Sequence, residues 1–465
     1  MKKIGLGTGV ATSVGMMLIA SAMLTISQGL SIGGYLFIVG LVISFVIVLC
    51  QATSFSELSG MIPTEGSVYD YVTAGLGRFW GMTATLAAYI IVTAFACSAE
   101  VAAAGIFAQK NFSTLNSLIP TENAWIISEI IILACIALNI FGLSVYAKAE
   151  IILSYSKWII MMCIGILGVL AVPKIQPEMI WGASMIGDNW EALFTMVSFS
   201  LFLFVGVEYI TPLAPEMEDA PRNIPRSILY GMLMCLVGML LYATGITRQV
   251  PNEVIDAATN TRLYDTPESI AIFGNNVLGE LGKFGISLAV FIATIALVNT
   301  IIAGIPRILY GMAQDGMLPS AFGKLHSKYQ TPWVGILFIG AIPAIGAYLV
   351  GGNTQGVFQL LLAAVCSWIF FYILINISVV LLRRRRPDLA RPYKIPFYPL
   401  PQIIATLGLL ITFWYIAPPF LTRQDIYLPF GIMLLICAIF SFIWIKYVAK
   451  MEMWKTVDVE EILKK

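Results

Sequence analysis

The chain has 465 residues, is 59% hydrophobic with a mean hydropathy of +0.87, and carries only 11% charged residues, where an ordinary soluble domain carries about 25%. Its formal net charge of +1 argues against nucleic acid as a partner. The seven cysteines (Cys50, Cys97, Cys135, Cys163, Cys235, Cys366 and Cys437) all lie in apolar runs without a C-x-x-C pair, so they read as small packing residues rather than as a metal site or a disulfide framework.

Twelve apolar runs fill the chain in order: 10–29, 33–56, 80–108, 124–144, 149–172, 190–213, 226–247, 281–313, 333–350, 356–382, 400–420 and 427–449. Each approaches the roughly 20 residues a bilayer-crossing helix needs. Backbone groups in lipid must find internal partners, so the expected fold class is an all-α integral membrane protein. The segment Met1–Gly9 is too short to precede a cleavable signal, and the first run is therefore read as span 1. The longest polar connections, Arg248–Lys283 and Asp315–Pro332, leave no room for a soluble domain, so one domain is expected over 1–465.

Twelve spans would return both termini to one side. The loops on that side hold most of the 27 Lys and Arg, including Arg383–Arg386 at the end of span 10. The opposite loops hold Lys110, Lys174, Arg248, Arg262, Lys283 and Arg423. The positive-inside rule then places both termini in the cytoplasm and the chain in the cytoplasmic membrane.

Spans 1 and 6 look unlike lipid-facing helices. Span 1 contains Thr12-Ser13-Val14-Gly15, Ile19-Ala20-Ser21-Ala22 and Thr25-Ile26-Ser27-Gln28-Gly29; span 6 contains Phe202-Leu203-Phe204-Val205-Gly206-Val207-Glu208 before Pro212. Gly, Pro and small residues weaken helix there, although small residues also let helices pack closely. The two lie five spans apart, an odd number, so a second set of five would enter the membrane in the opposite direction. That is the arithmetic of an inverted repeat, 10–172 and 190–382, with helices over 400–449 appended.

Five motifs, in order, resemble the amino acid–polyamine–organocation superfamily of transporters. They are Glu57-Leu58-Ser59-Gly60 through Tyr69; Asn139-Ile140-Phe141-Gly142 followed by Lys157; Gly206-Val207-Glu208 with Glu216 through Arg226; Pro306-Arg307 through Pro319; and Arg391-Pro392-Tyr393-Lys394 through Pro399. The resemblance implies twelve helices as a 5+5 inverted repeat with spans 1 and 6 broken. It implies a secondary transporter of amino acids, proton-coupled and working by alternating access. A polyamine or amine permease, or an amino acid/amine exchanger, is the alternative. Small-molecule substrate, protons and the lipid bilayer are the implied partners; no cofactor is implied.

The resemblance also implies roles for residues. The family's span 1 carries a Gly-x-Gly signature whose bare N–H groups hold a substrate carboxylate; here Ile19-Ala20-Ser21 fills that place. Ala20, Ser21 and Ala22 become the expected carboxylate contacts, while β-branched Ile19 is expected to resist an open backbone. Because this departs from the signature, an amine without a carboxylate stays open as the substrate. Lys157 in span 5 matches the lysine that replaces sodium in proton-coupled relatives, and an ammonium at mid-bilayer costs at least ~2.5 kcal/mol on insertion scales. Snorkelling or permanent pairing is its bland reading. Glu208 matches a recurring span-6 glutamate implicated in proton coupling or gating; it could instead anchor the broken helix. Glu100 in span 3 suits a cationic substrate, or an ion-paired or interfacial role. Phe202 and Phe204 stand where aromatics gate the site, and Gly206 would offer backbone to the substrate. Asn299 in span 8 is a candidate substrate or coupling contact, or an interhelical packing group. Ser156, Thr294 and Thr300 could line a cation site or bond back to their own helices.

An enzyme would need catalytic or metal-ligating side chains, yet the one histidine, His326, lies in a loop, and neither H-E-x-x-H nor G-x-S-x-G occurs. A channel would need rings of repeated filter residues, and the chain has none.

Overall fold

The computed structural model describes residues 3–111, 123, 125–176, 182–256, 261–350 and 354–464. The expected start of span 4 at 124 and the side chain of Lys110 lie outside the described residues.

Span 1 is two helices, α1 (Leu6–Met17) and α2 (Ala20–Gly33), bent by 50° at their junction. Span 2 is α3 (Tyr35–Met61), followed by a short α4 (Val68–Leu76). Span 3 begins as α5 (Arg78–Thr85), widens into π-helical turns over Leu86–Ile91 and Thr93–Cys97, and ends as α6 (Ser98–Asn111). Spans 4 and 5 are α7 (Trp125–Ile140) and α8 (Leu143–Leu170). Span 6 is α9 (Trp190–Leu201), one tight turn over Phe202–Phe204, and a 3-10 run over Val207–Glu216. Then come α10 (Ala220–Gln249), α11 (Glu268–Gln314), α12 (Trp333–Val350), α13 (Thr354–Arg385), α14 (Leu400–Trp414), α15 (Arg423–Ile443) and a terminal turn, α16 (Val459–Leu463).

Among the described residues, eight helices are long and apolar enough to cross a membrane, or nine if α1 and α2 count as one bent span. Trp125–Ile140, Trp333–Leu349 and Leu400–Trp414 are apolar but shorter. Burial separates an inner set from a rim. The most apolar stretch of span 6 is 83% buried, and those of spans 3 and 8 are 78% buried, against 22% for span 12. Large apolar side chains on α15, such as Leu428, Ile432 and Leu435, point outward, as lipid-facing residues do.

One connection differs from its sequence reading. Arg248–Lys283 is not simply a polar loop. It holds a small antiparallel hairpin, β1 (Val254–Asp256) with β2 (Thr261–Arg262), and the first arm of α11. That arm doubles back at Leu278–Gly279, where Gly279 has φ 62°. Phe273 on the arm packs edge-on against Tyr242, and a Cβ on either Gly168 or Gly245 would stand 2.7 Å from the Phe273 ring. An apolar anchor therefore holds a segment whose composition looked like loop.

Two ion-pair clusters tie helix ends. Glu57, at the end of α3, is buried and takes a two-pronged bond from Arg383, a 3.3 Å contact from Arg391 and the Ile395 N–H at 2.9 Å. Arg386 holds Asp388 (2.8 Å), Asp458 (2.6 Å) and Glu460 (2.9 Å), which docks the C-terminal turn on the end of α13.

Candidate substrate and coupling site

Span 1 opens at Leu18 and Ile19. Ile19 is extended (φ −93°, ψ 170°) and leads directly into α2. A β-branched side chain favours that backbone region, so Ile19 helps to hold the break it was expected to resist. Span 6 opens at Val205 and Gly206. Gly206 has a left-handed φ of 91°, and a Cβ there would lie 2.8 Å from Cγ of Met16 in the last turn of α1. Only glycine meets both demands, so the two breaks face each other in contact.

Span 10 closes the span-6 break. Tyr372 accepts the Gly206 N–H at 3.1 Å and donates its hydroxyl to Glu208 at 2.6 Å; Trp368, one turn earlier, donates Nε1 to the other carboxylate oxygen at 3.0 Å. Glu208 is fully buried. Sequence reading singled out Glu208 but not these partners, although an indole and a phenol four residues apart would share one helix face.

Glu100 reaches across from span 3 to the span-1 break. It is fully buried and accepts the Ser21 N–H at 3.1 Å and the Ser21 hydroxyl. The π-helical turns just before it shift the register of span 3, a feature common at functional sites. Two small cavities flank this bond. The first is lined by Met16, Ile19, Glu100, Phe202 and Trp368 with apolar neighbours; the second by Ala20, Ser21, Leu24, Phe107 and Phe358 among others. Ala20, Ser21, Glu100 and Phe202 thus gather at the break. Ala22 is buried within α2, and Phe204 packs edge-on against Phe45 with ring centres 5.6 Å apart.

A second polar centre lies between α1, α8 and α11. Lys157 is buried in α8 and donates to the Gly15 carbonyl at 3.1 Å. Two helical turns earlier, Glu150 is also fully buried. It accepts the Ser154 hydroxyl at 2.7 Å and the Asn299 side-chain amide at 2.8 Å, and Asn299 accepts from Asn139 at 2.9 Å. A Cβ on Gly15 would stand 2.1 Å from the Glu150 carboxylate. Span 5 therefore touches span 1 through Lys157 and span 8 through Glu150. Asn299 belongs to this centre and does not line the cavity beside Glu100. Thr294 bonds back to Val290 of its own helix at 3.5 Å. Sequence reading missed Glu150 because it set the start of span 5 at 149; the spacing of seven from Lys157, one helix face, was the available signal.

Broken spans around buried acidic and basic groups are the kind of arrangement found at the substrate sites of membrane transporters. The pattern of the family described as "Amino acid permease" matches residues 4–443, and the chain belongs to that family. It is similar to the branched-chain amino acid permease BcaP of Bacillus subtilis (24% identity, 79% of each chain) and to the serine/threonine exchanger SteT of the same organism (22%, 78% of each). It is also similar to the polyamine transporter RMV1 of Arabidopsis thaliana (26%, covering 78% of this chain and 70% of the relative). These relatives are transporters and not enzymes, and the chain is a multi-pass membrane protein of their kind.

Proposed function

We propose that the protein is a proton-coupled secondary carrier of an amino acid or closely related amine, working by alternating access. The carrying observation is the Lys157 ammonium on the Gly15 carbonyl, beside the break of span 1. A group that holds the half-helix more tightly when charged than when neutral links protonation to the movement of α1. Glu150, two turns earlier on the same helix face and bonded to span 8, supplies the second tether. Glu208 holds the span-6 break to span 10 and is the second proton-coupling residue. Substrate sits between spans 1, 3, 6 and 8, beside Ala20–Ala22, Glu100, Phe202 and Gly206, with Phe204 packed on Phe45 and Asn299 acting through Glu150.

The eight long helices, the bent pair and the three shorter apolar helices support a twelve-span single domain. The facing breaks support an inverted repeat with two appended helices. Both termini are cytoplasmic on the positive-inside argument. The membrane potential adds roughly 2.3 kcal/mol per charge per 100 mV to the driving force.

Counterflow tests the carrier reading. Proteoliposomes loaded with unlabelled substrate should take up labelled substrate saturably, without steady single-channel current in a planar bilayer. Unitary currents with no counterflow would make the protein a channel.

A further inference from the structure

The electrostatics of the break narrow the cargo class. Broken spans present helix ends to the site, and each end has a sign: N-termini attract anions and C-termini attract cations. At each N-terminal end here a backbone N–H is already taken by one of the protein's own side chains. The Ser21 N–H, at the start of α2, donates to Glu100. The Gly206 N–H, before the second half of span 6, donates to Tyr372. The two C-terminal ends, α1 at Met17 and α9 at Leu201, run into the cavity through Met16 and Phe202.

Glu100 is the one charged side chain in the lining of that cavity. Among the described residues no lysine or arginine forms an ion pair with it, and Lys157 is directed at Gly15 instead. A carboxylate held out of water, even one that takes the Ser21 N–H and hydroxyl, is costly unless a cation or proton joins it. The rest of the lining is apolar, including Ile19, Val92, Leu297 and Ile301, with the aromatic rings of Phe202 and Trp368. Aromatic faces also favour a cation.

We infer that this site takes a primary ammonium carried on an apolar body and lacking a carboxylate, with Glu100 as its counter-ion. Glu100 occupies the anion seat that the carboxylate of an amino acid would need. The inference rests on the carrier reading above, and it selects the decarboxylated amine over the parent amino acid.

Matched pairs that differ only in the carboxylate test it: 3-methylbutylamine against leucine, and 2-phenylethylamine against phenylalanine. Thermal stabilisation of the purified wild-type protein is read first, then counterflow in proteoliposomes. The amines are expected to stabilise and exchange, and the amino acids to do neither. Glu100→Gln should weaken amine binding roughly 30-fold or more, the low end of what breaking a buried charge pair costs. The wild-type comparison does not depend on that variant folding. If the amino acids bind and exchange while the amines do not, the cargo class is overturned and the carrier reading stands. If the amines bind but nothing exchanges, the carrier reading falls and the cargo class stands. If none of the four binds, the cargo class is overturned, and the carrier reading is left to the counterflow test above.

Discussion

Single residues set the geometry at both breaks. Gly206 combines a left-handed backbone with contact against Met16, so Gly206→Ala should cost about 1–3 kcal/mol in backbone strain alone. A lower thermal midpoint, unrelieved by added substrate, is the expected reading; an unchanged midpoint would mean that the break can relax. Gly15 is tighter still, because a methyl there would strike the Glu150 carboxylate. Gly15→Ala should displace Glu150 from Ser154 and disturb the Lys157 bond to the same residue. Gradient-driven uptake is expected to fall while expression persists, and normal uptake by this variant would remove Gly15 from the coupling account.

Between elements, ion pairs do the clamping at the helix ends. Glu57 is buried beneath Arg383 and Arg391. Removing one partner of a buried pair leaves the others uncompensated, so Glu57→Ala should destabilise the protein by about 3–5 kcal/mol. Thermal unfolding in detergent checks this, and a change within error would show that water reaches the arginines. The C-terminal turn is held differently, by exposed groups. The Glu460 N–H and the Arg386 guanidinium hold the Asp458 carboxyl below its usual range, and Arg386 does the same to Asp388. A carboxylate depressed in the docked state favours docking above its free value of about 3.9, and that contribution disappears as pH falls through the depressed value. A spin label at Lys464 should therefore turn mobile in acid below about pH 4, and also in high salt, where exposed pairs are screened. A label equally immobile in both conditions would show that apolar contacts of Val459 and Ile462, rather than charge, dock the turn.

At the scale of the whole molecule, legibility follows the range of the interaction. Apolar runs are local, so the all-helical membrane class and the long spans could be read directly; the breaks at Leu18–Ile19 and Val205–Gly206 were announced by small residues, Gly and Pro. The first arm of α11 was not, because its polar face hid an apolar anchor, Phe273, whose pocket lies between spans 5 and 7. Glu100, Lys157 and Glu208 stood out as charges in apolar sequence. Their partners did not, because Ser21, Gly15, Trp368 and Tyr372 come from segments far away in the chain, and no local pattern records such pairing. Glu150 was lost to a span boundary drawn a few residues late. The proposal that joins these contacts is that Lys157, bonded to the Gly15 carbonyl, ties proton movement to the first half of span 1. The direct measurement is accumulation of labelled substrate in sodium-free proteoliposomes under an imposed inward proton gradient, wild type beside Lys157→Ala. The account predicts concentrative uptake by the wild type, and only equilibrating counterflow by the variant. Accumulation by Lys157→Ala on the proton gradient alone would contradict it.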